Sequence, residues 1–316
     1  MKIRLILLLI LGFTTTLSVA QNVKLNQGDG SFKIEGNLSH EQDSITVFYH
    51  KPVNFKHNSK ILMVIPGAGR NADDYRDSWI EASEKYNVLI ISPSYEEEKY
   101  NFGDYHLGGV VKNLDLRTGI SFEKGTNRVH LDESVDRFHI NLNTKQWLFN
   151  DFDRLFDMVV KSINSSQKSY DIFGHSAGGQ ILHRFALLFP NSKVDRILAS
   201  NAGSYTLPDF KTNFPFGLKD LTIEASQLKE SFQKNLVIFL GEEDNENETG
   251  GLILRSPTLD KQGTHRFSRG NYFYNKSKAI AKKLNTIFNW ELFIVSGVGH
   301  NQKEMAKAAA LYLYDK

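Results

Sequence analysis

The run Ser169-Tyr-Asp-Ile-Phe-Gly-His-Ser-Ala-Gly-Gly179 constrains this chain more than any other stretch. Tyr170 to Phe173 is β-prone, Gly174-His175-Ser176-Ala177-Gly178 has the spacing G-x-S-x-G, and Ile181, Leu182, Phe185 and Leu188-Phe189 then return at helical spacing until Pro190. A strand driven straight into a helix needs a turn so sharp that its central residue is strained. Glycines two positions either side let the turn close while Ser176 Oγ projects outward. The N-terminal N–H groups of the following helix face the space above that hydroxyl, where an oxyanion can be held. The competing reading is a helix-start turn capped by Ser176. The strand before and the helix after favour a nucleophile.

The rest of the pattern fits an α/β fold with a mostly parallel central sheet flanked by helices. Ile61-Leu-Met-Val-Ile65, Val88-Leu-Ile-Ile91 and Leu236-Val-Ile-Phe-Leu240 are apolar at every position, which suits strands covered on both faces. Their alternation with helical patterns implies right-handed crossovers. Phe32-Lys-Ile-Glu and Ile45-Thr-Val-Phe-Tyr read as an opening antiparallel hairpin, Val194–Ser200 and Glu291–Val295 as further strands. Helices are expected from near Lys145, around 271–285 and after Asn301. From Pro93 to about Asn143 regular patterning fails, and a long loop follows residue 245.

The chain begins Met1-Lys-Ile-Arg-Leu-Ile-Leu-Leu-Leu-Ile-Leu-Gly, a basic end and a short apolar run, and Ser18-Val-Ala20 supplies a small-x-small cleavage site before Gln21. We therefore expect a signal peptide over 1–20, a single domain over 21–316, and a periplasmic or secreted protein with no stable membrane anchor after cleavage. Removing 1–20 takes away Lys2 and Arg4 and no acid, which brings the formal net charge of +2 to neutrality. A neutral chain has no overall attraction for nucleic acid. There is no cysteine, so no disulfide framework holds the fold. Nothing in the pattern sets the oligomeric state.

A serine hydroxyl needs a base within hydrogen-bond reach and a third group to orient that base. Of the ten histidines only His265 and His300 lie beyond residue 240. His300 follows a strand and precedes a helix, whereas His265 sits among Lys261, Arg266 and Arg269, so His300 is the expected base. Asp244, three residues past Gly241 at the end of a buried strand, is the expected acid, with Glu242 and Glu243 as competitors. The expected oxyanion donors are the backbone N–H groups of Ala177 and of Ala68 in Pro66-Gly67-Ala68-Gly69, with Gly69 as the alternative to Ala68. Arg255, Lys261, Arg266 and Arg269 read as a solvated loop or as a patch for an acidic substrate group. Glu96-Glu-Glu98 and the set Asp132, Glu133, Asp136 and His139 read as loop rather than metal ligands.

G-H-S-A-G-G after a strand, P-G-A-G-R-N-A-D-D-Y-R-D after the strand before, G-E-E-D, and G-V-G-H near the C-terminus together resemble the α/β-hydrolase family over most of residues 45–316. The 66–77 stretch and the exported layout are similar to the polyhydroxybutyrate depolymerase and feruloyl esterase-like branch. The resemblance implies a serine hydrolase with Ser176, Asp244 and His300 as triad and no metal or organic cofactor. Pro66-Gly67 stands where the family usually has His-Gly. The expected activity is cleavage of a small-molecule or polymeric carboxylic ester through an acyl-enzyme. A serine peptidase of the same fold and a catalytically silent binding scaffold are the alternatives.

Overall fold

The structure, a computed structural model, describes residues 23–135 and 137–315. The leader expected at 1–20, its cleavage point before Gln21, and Asp136 lie outside the described residues. One sheet contains eight strands: β1 (Gly28–Glu35), β2 (Ser44–Lys51), β3 (Ile61–Ile65), β4 (Leu89–Ser94), β5 (Tyr170–His175), β6 (Val194–Ser200), β7 (Asn235–Gly241) and β8 (Glu291–Val295). Their spatial order is β1-β2-β4-β3-β5-β6-β7-β8. β1 and β2 form the expected hairpin, with Phe32 opposite Val47, and β2 runs antiparallel to β4. From β4 across to β8 every neighbouring pair is parallel.

The helices that build the site and cover the sheet are α1 (Ala72–Asp77), α2 (Ile80–Tyr86), α3 (Phe149–Ser162), α4 (Ala177–Leu188), α5 (Ala225–Phe232), α6 (Arg266–Lys283) and α7 (Gln302–Tyr314). Strand β3 shows why its sequence is apolar throughout. Ile61, Met63 and Ile65 enter one core with Phe152, Leu182 and Phe273, while Leu62 and Val64 enter the other with Trp79, Phe173, Phe239 and Met305. Alternate residues on a strand point to opposite faces, so a strand covered on both sides can expose none of them to water.

Register decides where the site forms. Ile65 pairs with Gly174, Ser200 with both His175 and Phe239, and Gly241 with Val295. The C-terminal ends of β3, β5, β6, β7 and β8 therefore lie along one edge of the sheet, and the turns leaving them meet there. In open parallel sheets that edge is where ligands are received.

Two expectations need correction. The helix expected around 271–285 starts at Arg266, because His265 caps it: Ser268 N–H donates to His265 Nδ1 at 3.2 Å, and Ser268 Oγ returns to the His265 backbone. The stretch 93–143 is not without regular structure. Ile120–Phe122 and Arg128–Leu131 pair antiparallel, and Ile253–Arg255 from the later loop adds beside the second of them in parallel. The Glu133 carboxylate accepts from Thr258 N at 2.8 Å and Thr258 Oγ1 at 2.6 Å. Strands this short carry no readable period, and Ile253–Arg255 lies more than a hundred residues from the strand it pairs with.

Candidate active site

Ser176 sits at φ 59° and ψ −114°, in the left-handed region that a β-carbon disfavours. The strain is held by Ser176 N–H donating to the Ser200 carbonyl at 2.9 Å and by close packing below the turn. A β-carbon on Gly174 would lie 2.5 Å from the Gly178 carbonyl oxygen, and one on Gly178 would run into the Ile65 carbonyl oxygen and lie 2.8 Å from that of Pro66. Those glycines let α4, which begins at Ala177, start closely against the end of β3 and the Pro66 carbonyl.

From the Ser176 turn a continuous polar chain runs inward. Ser176 Oγ lies 3.1 Å from His300 Nε2, His300 Nδ1 lies 2.7 Å from Asp244 Oδ2, and Arg266 Nη1 donates to Asp244 Oδ1 at 3.0 Å. Asp244 is 1% exposed. Burial alone would raise its pKa, but the His300 hydrogen bond and the charges of His300 and Arg266 hold it below the ordinary carboxylate value. An ionised Asp244 accepts from Nδ1–H and leaves Nε2 with the lone pair that faces the serine.

The competing residues point elsewhere. Glu242 accepts from Ser296 Oγ and Gly297 N, and Glu243 is exposed. His265 caps α6, with its Nε2 3.4 Å from Glu246. Arg266 and Arg269 are neither solvated nor a substrate patch: both are buried, Arg266 on Asp244 and on the Gly250 and Leu252 carbonyls, Arg269 on the Gly203, Gly263 and Leu254 carbonyls. Arg255 pairs with Asp260, and Lys261 lines the cleft. Among the described residues no His, Cys, Asp and Glu side chains gather in threes in a way that could hold a metal ion.

Ala68 faces the same cleft as Ser176 and is exposed to it. Its turn is clamped: Tyr105 Oη donates to the Pro66 carbonyl at 2.7 Å, and Arg70, also at positive φ, donates to the Tyr95 carbonyl at 2.7 Å and stacks 3.7 Å over the Tyr105 ring. His175 is buried, its ring centre 4.5 Å from that of His300. Burial first, then the charges of His300 and Arg266, push its pKa well below 6.5, so it stays neutral beside His300.

Sequence inspection missed two residues. Asn201, buried at positive φ just past β6, accepts from Gly241 N–H at 2.9 Å and donates to the Gly299 carbonyl at 3.1 Å, tying the Asp244 turn to the His300 turn. Glu248 accepts from the His300 N–H at 2.7 Å. Asparagine at a strand end is a weak signal for the first; the second has none, being one acid in an acidic loop.

Among solved structures, poly(aspartic acid) hydrolase-1 from Sphingomonas sp. KT-1 is 33% identical, covers 92% of this chain with 100% of its own, and superposes with a TM-score of 0.76. The chain belongs to the α/β-hydrolase family. Its activity is hydrolysis. Two more distant α/β-hydrolases share the fold: a poly(3-hydroxybutyrate) depolymerase from Bordetella parapertussis (23% identity, 92% and 90% of the two chains, TM-score 0.77) and a siderophore hydrolase from Aspergillus nidulans (11%, 92% and 95%, TM-score 0.53). No protein-family model and no curated protein matches the chain.

Above Ser176 this α/β-hydrolase has a cleft of about 1710 Å³. Ala68, Ser176 and Gln180 lie at its base, and its walls come from the 102–140, 203–220 and 251–284 segments, so the small sheet that joins the first and last of these is one side of the cleft. Arg184 is fully buried beside it, among the described residues without a carboxylate partner, and is held by Thr206 Oγ1 and the His106 and Gln180 carbonyls. Burial pushes its pKa down to about 9, which leaves it charged at neutral pH.

Proposed function

We propose that this hydrolase cleaves carboxylic esters through an acyl-enzyme on Ser176, with His300 as general base and acid, Asp244 orienting it, and the Ala177 and Ala68 N–H groups holding the oxyanion. One observation carries this reading: Oγ, Nε2, Nδ1 and the carboxylate stand in one chain at 3.1 and 2.7 Å. As Oγ attacks the acyl carbon, its proton passes to Nε2, and the imidazolium is stabilised by the buried Asp244. The carbonyl oxygen becomes an anion between the two N–H groups. His300 then returns the proton to the leaving alkoxide, and a water repeats the steps on the acyl-enzyme. A fluorophosphonate probe should label the intact protein and not Ser176→Ala. Absence of labelling across pH 6 to 9 would favour the silent scaffold.

A second reading, hydrolysis of amide bonds in a polymer bearing carboxylates, is favoured by a specific observation. Lys211, Lys261, Lys276 and Lys283 line the cleft with Arg184, and among the described residues none of the five has a carboxylate within ion-pair distance. Of the carboxylates that line the cleft, Glu133, Asp209 and Asp220 are bound to nearby N–H groups and hydroxyls, and Glu97 is exposed. An acidic polymer would supply the missing counter-charges, in line with the poly(aspartic acid) hydrolase relative. Faster turnover of an aspartyl oligomer than of short p-nitrophenyl esters would put amide before ester.

We further propose that residues 1–20 direct export and are removed, leaving 21–316 as a single folded domain. Among the described residues no helix is long and apolar enough to cross a membrane. Mass spectrometry of the exported form should find Gln21 first; retention of 1–20 in a membrane fraction would defeat the export reading.

A further inference from the structure

The turn that carries His300 is held from behind by a carboxylate outside the expected triad. Glu248 Oε2 accepts from the His300 backbone N–H at 2.7 Å, and its Oε1 accepts from Gly250 N–H at 2.6 Å. A β-carbon on Gly299 would lie 2.5 Å from Oε2, so only glycine lets the carboxylate seat against the turn. The same loop is fastened on its other side. Arg266 Nη2 donates to the Gly250 and Leu252 carbonyls at 3.1 Å each, while its Nη1 holds Asp244. Asn127, from the small sheet beside the cleft, donates to the Gly251 carbonyl at 3.0 Å and the Glu248 carbonyl at 3.3 Å. Residues 248–252 thus link one wall of the cleft to both the acid and the base.

We propose that Glu248 is a positioning residue: it sets the His300 ring against Ser176 through the main chain and adds a second negative charge behind that ring. This rests on the reading of Ser176, Asp244 and His300 given above. A carboxylate bonded to two N–H groups is a stronger clamp than a neutral acceptor, and small misplacement of a base is costly in the transition state. The charged and titratable groups facing His300 are Asp244 on its Nδ1, Arg266 behind Asp244, the neutral His175 ring, and Glu248; Glu243, Lys303 and Glu304 line the shallow outer pocket beside its turn. Glu248 itself has its pKa lowered: burial works to raise it, and the two N–H bonds outweigh that, so it is anionic at neutral pH.

The test uses the full-length protein and its two conservative variants, with a p-nitrophenyl ester as substrate. Glu248→Gln removes the charge and keeps one strong acceptor. It should lower kcat by about 10-fold with little change in KM. It should also move the acid limb of kcat/KM down by about half a pH unit, because losing a nearby anion makes the imidazolium less stable. Glu248→Asp keeps the charge but is too short to hold both N–H groups. It should lower kcat while leaving the acid limb in place, and it stands alone as the test if the glutamine variant does not fold. A residue that only stabilised the loop would lower Tm and leave the limb and kcat at wild-type values, and that result in either folded variant overturns the inference. If wild-type protein is neither labelled by fluorophosphonate at Ser176 nor active on any acyl substrate, the underlying reading has failed instead.

Discussion

Asp244 has two buried partners, and substituting it disturbs both. Asp244→Asn is expected to lower kcat by a factor on the order of 10⁴, since a neutral amide neither fixes the Nδ1–H tautomer nor stabilises the imidazolium. It should also reduce stability by about 3 kcal/mol, because Arg266, 2% exposed at its side chain, would face an uncharged partner. Glu243→Gln should change neither, as that side chain is exposed; the opposite pattern in kcat and a urea melt would move the acid by one residue. Elsewhere, Asp151 is buried on α3 with one carboxylate oxygen unbonded, and burial outweighs Arg154 to push its pKa up to about 6. Its folded pKa lies above the unfolded value, so the stability it contributes is full below pH ~4 and lost as pH rises through about 6. Asp151→Asn should therefore raise the unfolding free energy more at pH 8 than at pH 4, by an amount on the order of 2 kcal/mol, as read from urea melts at the two pH values. Equal shifts at the two pH values would show that the carboxyl ionises freely in the fold.

The turn from β5 into α4 depends on backbone meeting backbone. A methyl group on Gly178 meets the carbonyl oxygens of Ile65 and Pro66, which belong to β3 and to the turn presenting Ala68. Neither can swing aside as a side chain would. Gly178→Ala is expected to cost about 2 kcal/mol in chemical denaturation, and to lower kcat in the folded fraction, because α4 must retreat and carry the Ala177 N–H away from Ala68. Near-native values of both would mean that the two elements are less tightly opposed than their spacing indicates.

Across the molecule, the cleft joins the ligand-receiving edge common to parallel sheets with walls made from three separate segments of the chain. The 203–220 and 251–284 segments bring lysines together from positions 211, 261, 276 and 283. Exposed charges act through solvent and are screened by salt. If the substrate is a polycarboxylate, its kcat/KM should fall as ionic strength rises, and Lys276→Gln should lower it by roughly 2- to 5-fold and flatten that dependence. A salt-independent kcat/KM would remove the support that these lysines lend to an acidic polymer.

The sequence alone determined the α/β class and the strands of the main sheet, and it singled out a serine, an acid and a histidine in that order along the chain. These are local facts: fully apolar five-residue runs belong to strands covered on both faces, and glycines flanking Ser176 mark a turn that no bulkier residue closes. Asp244 was separable from Glu242 and Glu243 only by its offset from the strand, and the tertiary structure separates them by which carboxylate is buried against His300. Arg266 and Arg269 look like surface cations in the sequence, because a side chain's burial depends on what packs over it and not on its neighbours in the chain. Glu248, Asn201 and the small sheet of residues 120–122, 128–131 and 253–255 were decided by the tertiary structure alone. Each depends on contacts between segments about 50 to 125 residues apart, and a few contacts at that separation leave no period and no motif in the sequence.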